Sequence, residues 1–318
     1  MNKTNNIEAP LVSIRCITYN HEKYIRDALE GFVMQKTTFK FEAIVHDDAS
    51  TDNTAAIIRE YAEKYPNIIK PIFETENQYS KKDGSLARIM NEAIHPNAKY
   101  VAFCEGDDYW TDPNKLQLQV EFMERHSECT LTYHACKNIL EEKDKEYYLM
   151  GETVNESYQK EELLEYPFQT ATILIKKEVL FSELYKRAIS ARCSSGDMVI
   201  YLTADALGKI KGINKKMSVY RRHETGISNT LWKKRNLYNV YVSWTKISHI
   251  FGGPIKEHIE KKRLCAFIFE SFIAHKDFRL FLKLMGYGLL NSPQGVISGL
   301  KRIFIYIITV TLKNRLIH

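Results

Sequence analysis

Residues 41–54 read Phe-Glu-Ala-Ile-Val-His-Asp-Asp-Ala-Ser-Thr-Asp-Asn-Thr, in which an apolar segment is followed at once by an acidic turn. The run Phe41–His46 predicts a buried β-strand, and the apolar side chains between Thr54 and Lys64 recur at helical spacing. Asp47 and Asp48 therefore come at the C-terminal end of a strand that leads into a helix. In open α/β sheets, ligands bind at this position.

The same alternation of strand and helix extends to both sides of this segment. Further strands are predicted at Leu11–Thr18, Ile68–Phe73 and Tyr100–Cys104, and helices at Glu22–Met34, Ser85–Ile94 and Pro113–Glu124. Such alternation predicts an α/β fold with a mixed, mostly parallel sheet that is flanked by helices.

The pattern changes after residue 130. Strands are predicted at Thr130–Tyr133 and Thr172–Ile175, a helix at Gly196–Leu207, and a hairpin or strand pair at Lys209–Ile213 and Met217–Tyr220. From Leu231 onward only helical periods occur, with breaks at Gly252-Gly253-Pro254, near Asp277 and at Ser292-Pro293. The chain is therefore expected to end in a helical extension.

Composition and charge narrow the class of protein. With 318 residues, of which 44% are hydrophobic and 26% charged, the chain has a globular composition, which excludes disordered, collagen-like and disulfide-stapled classes. The six cysteines lack metal-finger spacing and the first ten residues are polar, so we expect reduced thiols, no signal peptide and a cytoplasmic location. Residues 1–206 carry 24 Lys/Arg against 34 Asp/Glu, whereas residues 207–318 carry 21 against 5. This asymmetry indicates two functional parts, the basic one facing an anionic partner.

A second acidic cluster, Glu105-Gly106-Asp107-Asp108, ends the predicted strand Tyr100–Cys104. Clustered carboxylates repel one another unless a cation or hydrogen-bond donors offset their charge. A divalent cation such as Mg²⁺ or Mn²⁺, held together with phosphate oxygens, would do so. For Asp47 and Asp48 a structural interpretation also stays open, in which Ser50 or Asp52 caps the following helix.

Six motifs, taken together in their order, resemble glycosyltransferase family 2, an inverting, nucleotide-sugar-dependent family with the GT-A fold. They are Pro10-Leu11-Val12-Ser13-Ile14 with Thr18-Tyr19-Asn20, the acidic turn Asp47–Thr54, Ala87-Arg88, Glu105–Asp108, Gly196-Asp197 and Tyr220-Arg221-Arg222-His223. The resemblance implies a Rossmann-like GT-A catalytic domain over residues 8–228. A basic helical extension over residues 229–318 would follow it.

The resemblance also assigns a role to each motif. The nucleotide-sugar donor is expected to contact Thr18, Tyr19, Asn20, Asp47, Asp48, Arg88, Glu105, Asp107 and Arg222, with the Asp48 carboxylate accepting an imide N–H of the base. The expected ligands of Mg²⁺ or Mn²⁺ are Asp107, Asp108 and His223. Asp197 is the expected general base for the acceptor hydroxyl, although by residue type it is also suited to cap the helix that follows it.

Three positions depart from the family pattern. Glu105 replaces the first aspartate of the D-x-D element, Ile89 follows Arg88 where asparagine is usual, and Ala49 replaces a glycine in the acidic turn. Because alanine lacks the conformational freedom of glycine, Ala49 is expected to keep a negative φ. These changes bear on donor preference more than on activity.

The resemblance implies a metal-dependent, inverting enzyme that transfers a sugar, expected from a UDP-sugar, to a hydroxyl of a saccharide or polyprenyl-linked saccharide in cell-surface polysaccharide synthesis. Two alternatives stay open. One is a nucleotide-sugar-binding or scaffolding relative without turnover. The other is a sugar nucleotidyltransferase, although the loop at residues 19–23 lacks the glycines that such enzymes carry after the first strand.

The basic extension contains an apolar segment, Ile303–Val310, between Lys301-Arg302 and Lys313. It is about half as long as the ~20 residues that a membrane-spanning helix needs. One interpretation is an interfacial helix that makes the protein peripheral at the inner face of the membrane. The other is a helix that packs on the catalytic domain or in a homodimer. Nucleic acid is not expected as a partner, because no nucleic-acid-binding motif accompanies the charge.

Overall fold

The computed structural model describes residues 9–140, 145–146, 154, 163–164, 168–193, 195–223, 226, 236–273 and 275–315, with side chains up to residue 309. The chain divides into two compact units, residues 1–186 with 200–223 and residues 187–199 with 224–318. The predicted domain boundary between residues 228 and 229 lies outside the described residues.

A nine-stranded sheet forms the centre of the first unit, counted over the described residues. Its strands are β1 (Val12–Thr18), β2 (Phe41–Asp47), β3 (Ile69–Phe73), β4 (Tyr100–Phe103), β5 (Tyr109–Trp110), β6 (Cys129–Leu140), β7 (Lys145–Glu146), β8 (Leu174–Lys176) and β9 (Lys209–Arg222). Their order is β3-β2-β1-β4-β8-β6-β9-β5, with β7 beside β6. The strands β3, β2, β1 and β4 are parallel, as are β6 and β9, while β8 is antiparallel to both its neighbours. The predicted mixed, mostly parallel sheet is confirmed.

The central parallel strands β1 and β4 are buried along almost their whole length, because both faces of the sheet are covered. Every residue of β4 is buried, and in β1 only Ile17 is partly exposed. Continuous burial of this kind is typical of parallel sheets with helices on both faces. The register sets Thr18, the last residue of β1, opposite Asp47, the last residue of β2. The two loops that follow these strands therefore begin at one edge.

The predicted hairpin between residues 209 and 220 is wrong. β9 is a single strand of 14 residues that runs parallel to β6, which itself extends beyond the predicted end at Tyr133. Ile213 pairs with His134 and Lys216 with Ala135, so two residues of β9 are accommodated in an irregularity of the ladder. A bulge bends a strand without reversing it. The polar residues in this bulge have the composition of a turn, so the sequence predicts a reversal of the chain that the structure does not contain.

Helices flank the sheet of the first unit. They are α1 (Ile25–Val33), α2 (Thr54–Lys64), α3 (Gln78–Lys81), α4 (Ser85–Glu92), α5 (Lys115–Arg125) and α6 (Glu178–Phe181), while α7 (Glu183–Ser190) and α8 (Gly196–Leu207) contribute residues to both units. The core includes Phe32 of α1 and Trp110 of β5, whose rings meet edge to face at 5.1 Å. The Trp110 indole N–H donates to the Ala171 carbonyl at 3.0 Å, so this large side chain is buried with its polar atom paired.

The second unit is helical, which confirms the predicted extension for the described residues. It contains α9 (Leu237–Phe251), α10 (Gly253–His258), a π-helical segment at Ile259–Leu264, α11 (Cys265–Ile273), α12 (Phe278–Asn291) and α13 (Pro293–Arg315). The breaks fall where the sequence predicts them. Gly252 has a φ of 61° between α9 and α10, and Asp277 caps α12 by accepting the Leu280 N–H at 2.9 Å. Within the described part of the chain, no helix has the length and apolar character needed to cross a bilayer.

Candidate functional site

Three loops meet at the C-terminal edge of the parallel strands. The loop after β4 reaches this edge because the Gly106 N–H donates a 3.0 Å hydrogen bond to the Ile17 carbonyl of β1. The loop after β1 is tied to the acidic turn after β2, since Asn20 donates its N–H to Ser50 Oγ and accepts the Thr51 N–H on Oδ1, both at 2.8 Å. Asn20 adopts a φ of 55°, a left-handed conformation that asparagine tolerates well.

At this edge, His21, Asp107 and His223 form a cluster whose potential ligand atoms all lie within 4.8 Å of one another. His223 Nε2 lies 3.0 Å from Asp107 Oδ2, and His21 Nε2 lies 3.9 Å from the same oxygen. The two imidazole rings are 6.1 Å apart and nearly perpendicular. One carboxylate oxygen and two imidazole nitrogens therefore converge on a small volume.

Each member of the cluster comes from a different element. His21 follows β1, and its backbone N–H donates to Oγ1 of Thr54, the first residue of α2, at 2.8 Å. Asp107 lies in the loop between β4 and β5, and His223 directly follows β9. The His223 side chain is 3% exposed, and its ring lies 4.8 Å from the ring of Tyr24. The sheet thus joins residues that are far apart in sequence.

Gly106 allows the acidic loop to approach the end of β1. A Cβ at this position would lie 2.6 Å from Thr18 Oγ1 and 3.0 Å from His21 Nδ1. Contacts this short would force the loop or the His21 ring to shift. The glycine between Glu105 and Asp107 is therefore required by the close packing of this loop against Thr18 and His21.

Burial and charge set the protonation of the cluster. Burial raises the pKa of Asp107, but the hydrogen bond from His223 and the adjacent His21 outweigh it, so the pKa lies below its usual value. Burial also lowers the pKa of His21, although the Asp107 charge opposes this effect. The carboxylate therefore favours its ionised form and the His21 imidazole its neutral form, and metals bind these forms.

Asp108 has a different environment from Asp107. It is 3% exposed, and its Oδ1 accepts the Arg221 N–H of β9 at 2.9 Å. Burial, followed by the charge of Asp107, raises the pKa of Asp108 well above its usual value. Asp108 is predicted as a metal ligand, but the structure does not place it among the three clustered ligands and instead uses it to join the acidic loop to β9.

The Arg221 side chain contacts three parts of the protein around the acidic loop. Its guanidinium lies 4.3 Å from the centre of the Tyr109 ring, pairs with the Asp27 carboxylate and donates to the Asp107 carbonyl at 3.3 Å. The planar cation therefore contacts α1, β5 and the acidic loop at once. Neither His21 nor Arg221 is predicted as a site residue from the sequence. The sequence hints at them only through their neighbours, because His21 directly follows Asn20 and Arg221 directly precedes Arg222.

The donor set fits a divalent cation. Ligand distances of about 2.0–2.2 Å place neighbouring ligand atoms about 3 Å apart and opposite ones about 4.2 Å apart in an octahedron. The separations of 3.0 and 3.9 Å fall within this range. The open side of the cluster is accessible, because the Asp107 side chain is 21% exposed.

The predicted base-binding residue Asp48 is fully engaged with the protein. Its Oδ1 accepts the Gln78 N–H at 2.7 Å and its Oδ2 accepts the Tyr79 N–H at 3.0 Å, while the residue is 1% exposed. These bonds fix the start of α3 against the end of β2. A contact between Asp48 and a nucleotide base stays a prediction.

Two polar atoms beside Asp48 lack partners among the described residues. They are Thr18 Oγ1 and Asp47 Oδ1, which belong to residues paired across β1 and β2. Buried polar atoms are usually hydrogen-bonded, and their exceptions concentrate at functional sites. The ends of β1 and β2 therefore retain unused hydrogen-bonding capacity at the predicted donor site.

The acidic turn corrects the expectation for Ala49. Its φ is 63°, in the left-handed region that was expected to require glycine. The turn keeps this conformation because the flanking carboxylates are fixed, with Asp48 bonded to α3 and Asp47 Oδ2 accepting the Ser50 N–H at 3.3 Å. The backbone at Ala49 is therefore strained.

Four further residues are predicted to contact the donor. Tyr19 is 44% exposed, Arg88 and Arg222 are exposed, and Glu105 is partly buried. Their roles in donor binding stay predictions.

Asp197, the predicted general base, is the second residue of α8 and belongs to the second unit. Its Oδ1 accepts the Met198 N–H at 2.8 Å. Asp197 is an exposed residue of α8. Its role as a base stays a prediction.

The fold and the cluster at its strand ends define a protein of the GT-A class. Residues 13–181 match the sequence model of the family described as Glycosyl transferase family 2. The chain belongs to this family. An uncharacterized protein of Mycobacterium tuberculosis is 35% identical over 228 residues, which make up 71% of this chain and 63% of that protein. The match thus spans less than two thirds of the relative.

Solved structures share the fold at low sequence identity. Staphylococcus aureus TarS, residues 1–349, in complex with UDP-GlcNAc has a TM-score of 0.63 at 18% identity, covering 91% of this chain and 83% of that one. A mannosyltransferase of Pyrobaculum calidifontis in complex with GDP-Man and Mn²⁺ has a TM-score of 0.54 at 16% identity, covering 97% and 88%. At these identities the likeness extends to the fold alone.

Proposed function

We propose that this protein is a divalent-metal-dependent, inverting glycosyltransferase that uses a nucleoside-diphosphate sugar. The convergence of His21, Asp107 and His223 at the strand-end edge of a family 2 domain carries this proposal. An anionic diphosphate needs positive charge at this edge, where Asp47, Asp48, Glu105 and Asp107 otherwise accumulate negative charge. A cation held by the cluster would supply that positive charge and offset the repulsion between the diphosphate and the carboxylates.

Asp107 and His223 would hold the cation, and His21 lies beside them. A bound Mn²⁺ or Mg²⁺ would supply charge stabilisation for the departing nucleoside diphosphate. The protein contributes the rigidity of the site, because Gly106 packs against Thr18 and Arg221 fixes the acidic loop to β9. Fixed charges aimed at a leaving group act without the reorganisation that solvent would need.

Thr18 and Asp47 are the best candidates for contact with the nucleoside. Thr18 Oγ1 and Asp47 Oδ1 lack partners among the described residues, so a donor and an acceptor on the ligand can pair with them after a small local movement. Tyr19 is exposed beside them and offers a ring to the base. A UDP-sugar is the proposed donor, supported by the fold shared with TarS, whose structure contains UDP-GlcNAc.

The transfer step needs a base for the acceptor. In the proposed reaction, the acceptor hydroxyl oxygen bonds to the anomeric carbon, the bond from that carbon to the diphosphate oxygen breaks, and the hydroxyl proton moves to the Asp197 carboxylate. Asp197 is exposed, so its carboxylate is accessible to an acceptor hydroxyl. Direct displacement by one nucleophile inverts the anomeric configuration.

The second unit supports a lipid-linked saccharide acceptor at the inner face of a membrane. Its residues 224–318 carry 15 Lys/Arg against 5 Asp/Glu. Large apolar side chains are exposed on α12 and α13, including Phe278, Leu290, Phe304 and Ile305. Exposed apolar residues beside basic ones are typical of helices that lie in the membrane interface. We propose a peripheral position on anionic lipid, where a polyprenyl-linked acceptor of cell-surface polysaccharide synthesis would be available.

The function is tested with the purified full chain, a panel of nucleotide sugars and Mn²⁺. A donor that binds only the folded chain raises its midpoint of thermal unfolding, and transfer or slow hydrolysis releases the nucleoside diphosphate. Asp107→Asn should weaken donor binding, and Asp197→Asn should abolish turnover with donor binding kept. Glu63→Gln, on the exposed face of α2, should change neither.

Three results would reject the proposal. Full transfer under exhaustive chelation would remove the metal from the reaction. Tight donor binding without release of product in any condition, for the unchanged chain as for Asp197→Asn, would identify a nucleotide-sugar-binding relative. Formation of a nucleotide sugar from a nucleoside triphosphate and a sugar phosphate would instead identify a nucleotidyltransferase.

A further inference from the structure

We infer that His21 is a third protein ligand of the cation, and that the resulting pair of imidazoles makes the site prefer Mn²⁺ and similar transition-metal ions to Mg²⁺. The inference rests on the proposed function, because it concerns the same cation. It adds a ligand from the loop after β1 to those expected from the acidic motif and from the segment after β9.

The geometry places His21 as a ligand. Its Nε2 and the Nε2 of His223 approach the same oxygen, Asp107 Oδ2, at 3.9 and 3.0 Å. All three ligand atoms lie within 4.8 Å of one another, so one ion can contact each of them after a small inward movement of the side chains.

The His21 ring is held in this position by its surroundings. Its backbone is fixed by Thr54 Oγ1, and its ring packs edge to face on Tyr24 at 6.1 Å. Nδ1 lies in the closely packed space beside Gly106 and has no hydrogen-bond partner among the described residues. The side chain is 17% exposed, so the ring directs Nε2 towards Asp107 without the freedom of a surface histidine. A positioned ligand loses little entropy when it binds an ion.

The chemistry of the donor set gives the selectivity. Mg²⁺ prefers oxygen ligands and retains its waters, whereas imidazole nitrogen binds later transition-metal ions more strongly. Two imidazoles and one carboxylate therefore disfavour Mg²⁺ more than a set of carboxylates would. In the order of intrinsic affinities, Mn²⁺ lies below Co²⁺ and Zn²⁺, so the site should bind the latter two at least as tightly in vitro.

The experiment measures binding of Mn²⁺ and Mg²⁺ alone to the full chain by calorimetry, with pulsed electron spin resonance to count the nitrogens bound to Mn²⁺. We expect Mn²⁺ to bind at least about tenfold more tightly than Mg²⁺ and to show two imidazole nitrogens. His21→Gln should leave one nitrogen. It should also weaken Mn²⁺ binding by about tenfold or more, because even residues that only orient ligands typically change affinity 10–100-fold.

The matched control is His126→Gln, which removes an imidazole that pairs with Glu128 on the surface. It should keep both nitrogens and the affinity. Circular dichroism and thermal unfolding confirm that His21→Gln is folded. The inference is overturned if the folded His21→Gln variant keeps two nitrogens, or if the unchanged chain binds Mg²⁺ as tightly as Mn²⁺. Donor binding and transfer that persist in that case would leave the proposed function intact, whereas absence of any metal or donor binding would end both.

Discussion

The backbone N–H of Arg221 donates a 2.9 Å hydrogen bond to the Asp108 carboxylate, which attaches β9 to the acidic loop next to the cluster of His21, Asp107 and His223. Asp108 is buried, and burial together with the Asp107 charge raises its pKa. The two adjacent aspartates therefore have separate tasks. Asp107 belongs to the cluster, and Asp108 joins the loop that carries Asp107 to β9.

This division predicts different effects of two identical substitutions. Asp108→Asn keeps an oxygen that accepts the Arg221 N–H and removes a carboxyl group whose ionisation is already disfavoured. It should retain Mn²⁺ affinity, whereas Asp107→Asn should weaken it by at least about 10–100-fold, the range typical even of residues that only orient ligands, because the carboxylate of the cluster is lost. Calorimetric titration of both variants measures this difference. Equal losses would mean that Asp108 also binds the cation.

Gly106→Ala should disturb the cluster without removing any ligand. The added methyl group would lie 2.6 Å from Thr18 Oγ1 and 3.0 Å from His21 Nδ1, so the loop must move. We expect destabilisation by about 1–3 kcal/mol from overpacking and a clear fall in Mn²⁺ affinity. Gly286→Ala is the control, since nothing lies within 4 Å of a Cβ on this exposed residue of α12. Unchanged metal binding in a folded Gly106→Ala variant would contradict the close packing.

Ala49→Gly should stabilise the protein. Relief of the left-handed conformation at φ 63° is worth about 1–2 kcal/mol, and the greater freedom of glycine in the unfolded chain removes about 0.5–1 kcal/mol of this gain. The net increase in the free energy of unfolding should be up to about 1.5 kcal/mol, measured by urea denaturation. The same substitution at Ala56, an exposed position in α2, should instead destabilise by about 1 kcal/mol. Destabilisation at both positions would show that Ala49 is not strained.

Lys115 should make stability depend on pH. It is fully buried at the start of α5, 3.9 Å from the centre of the Trp110 ring, and burial lowers its pKa to about 7. The pKa in the unfolded chain is about 10.4. Between these values the unfolded state binds more protons, so the free energy of unfolding rises with pH, at most by about 1.4 kcal/mol per unit.

Lys115→Met removes this term, so the unchanged chain should gain stability relative to the variant between pH 7 and pH 9. Urea denaturation at both pH values gives the difference. Lys36→Met, on the surface, should follow the pH dependence of the unchanged chain. The same pH dependence in Lys115→Met would show that the ammonium is charged in the folded state across this range.

The sequence predicts the parallel half of the sheet and its helices because these elements follow local periodicity. The two strand segments of β9 are predicted but not their continuity, because the polar residues in the bulge have the composition of a turn, and only pairing with β6 shows that the strand continues. The acidic motifs were found from their positions at strand ends. The separate tasks of Asp107 and Asp108 depend on which carboxylate β9 engages, and the place of His21 depends on the packing at Gly106. Both are long-range relationships that spacing does not encode.

The exposed apolar side chains of the second unit lead to a prediction about membranes. Phe304 and Ile305 on α13 are 66% and 63% exposed, and Lys301 is exposed one turn before them. The full chain should float with vesicles that contain anionic phosphatidylglycerol and much less with neutral phosphatidylcholine vesicles, because basic residues attract the anionic surface. Binding should weaken in 1 M salt, where the Debye length is about 3 Å.

Replacing both Phe304 and Ile305 by serine should reduce flotation by about tenfold or more, since their burial in the interface is lost. Phe181→Ser, at an equally apolar exposed position outside the extension, should float like the unchanged chain. If the unchanged chain does not float, the membrane proposal falls. If light scattering reveals a dimer that the double serine variant dissociates, this face binds a second copy of the chain instead of a membrane.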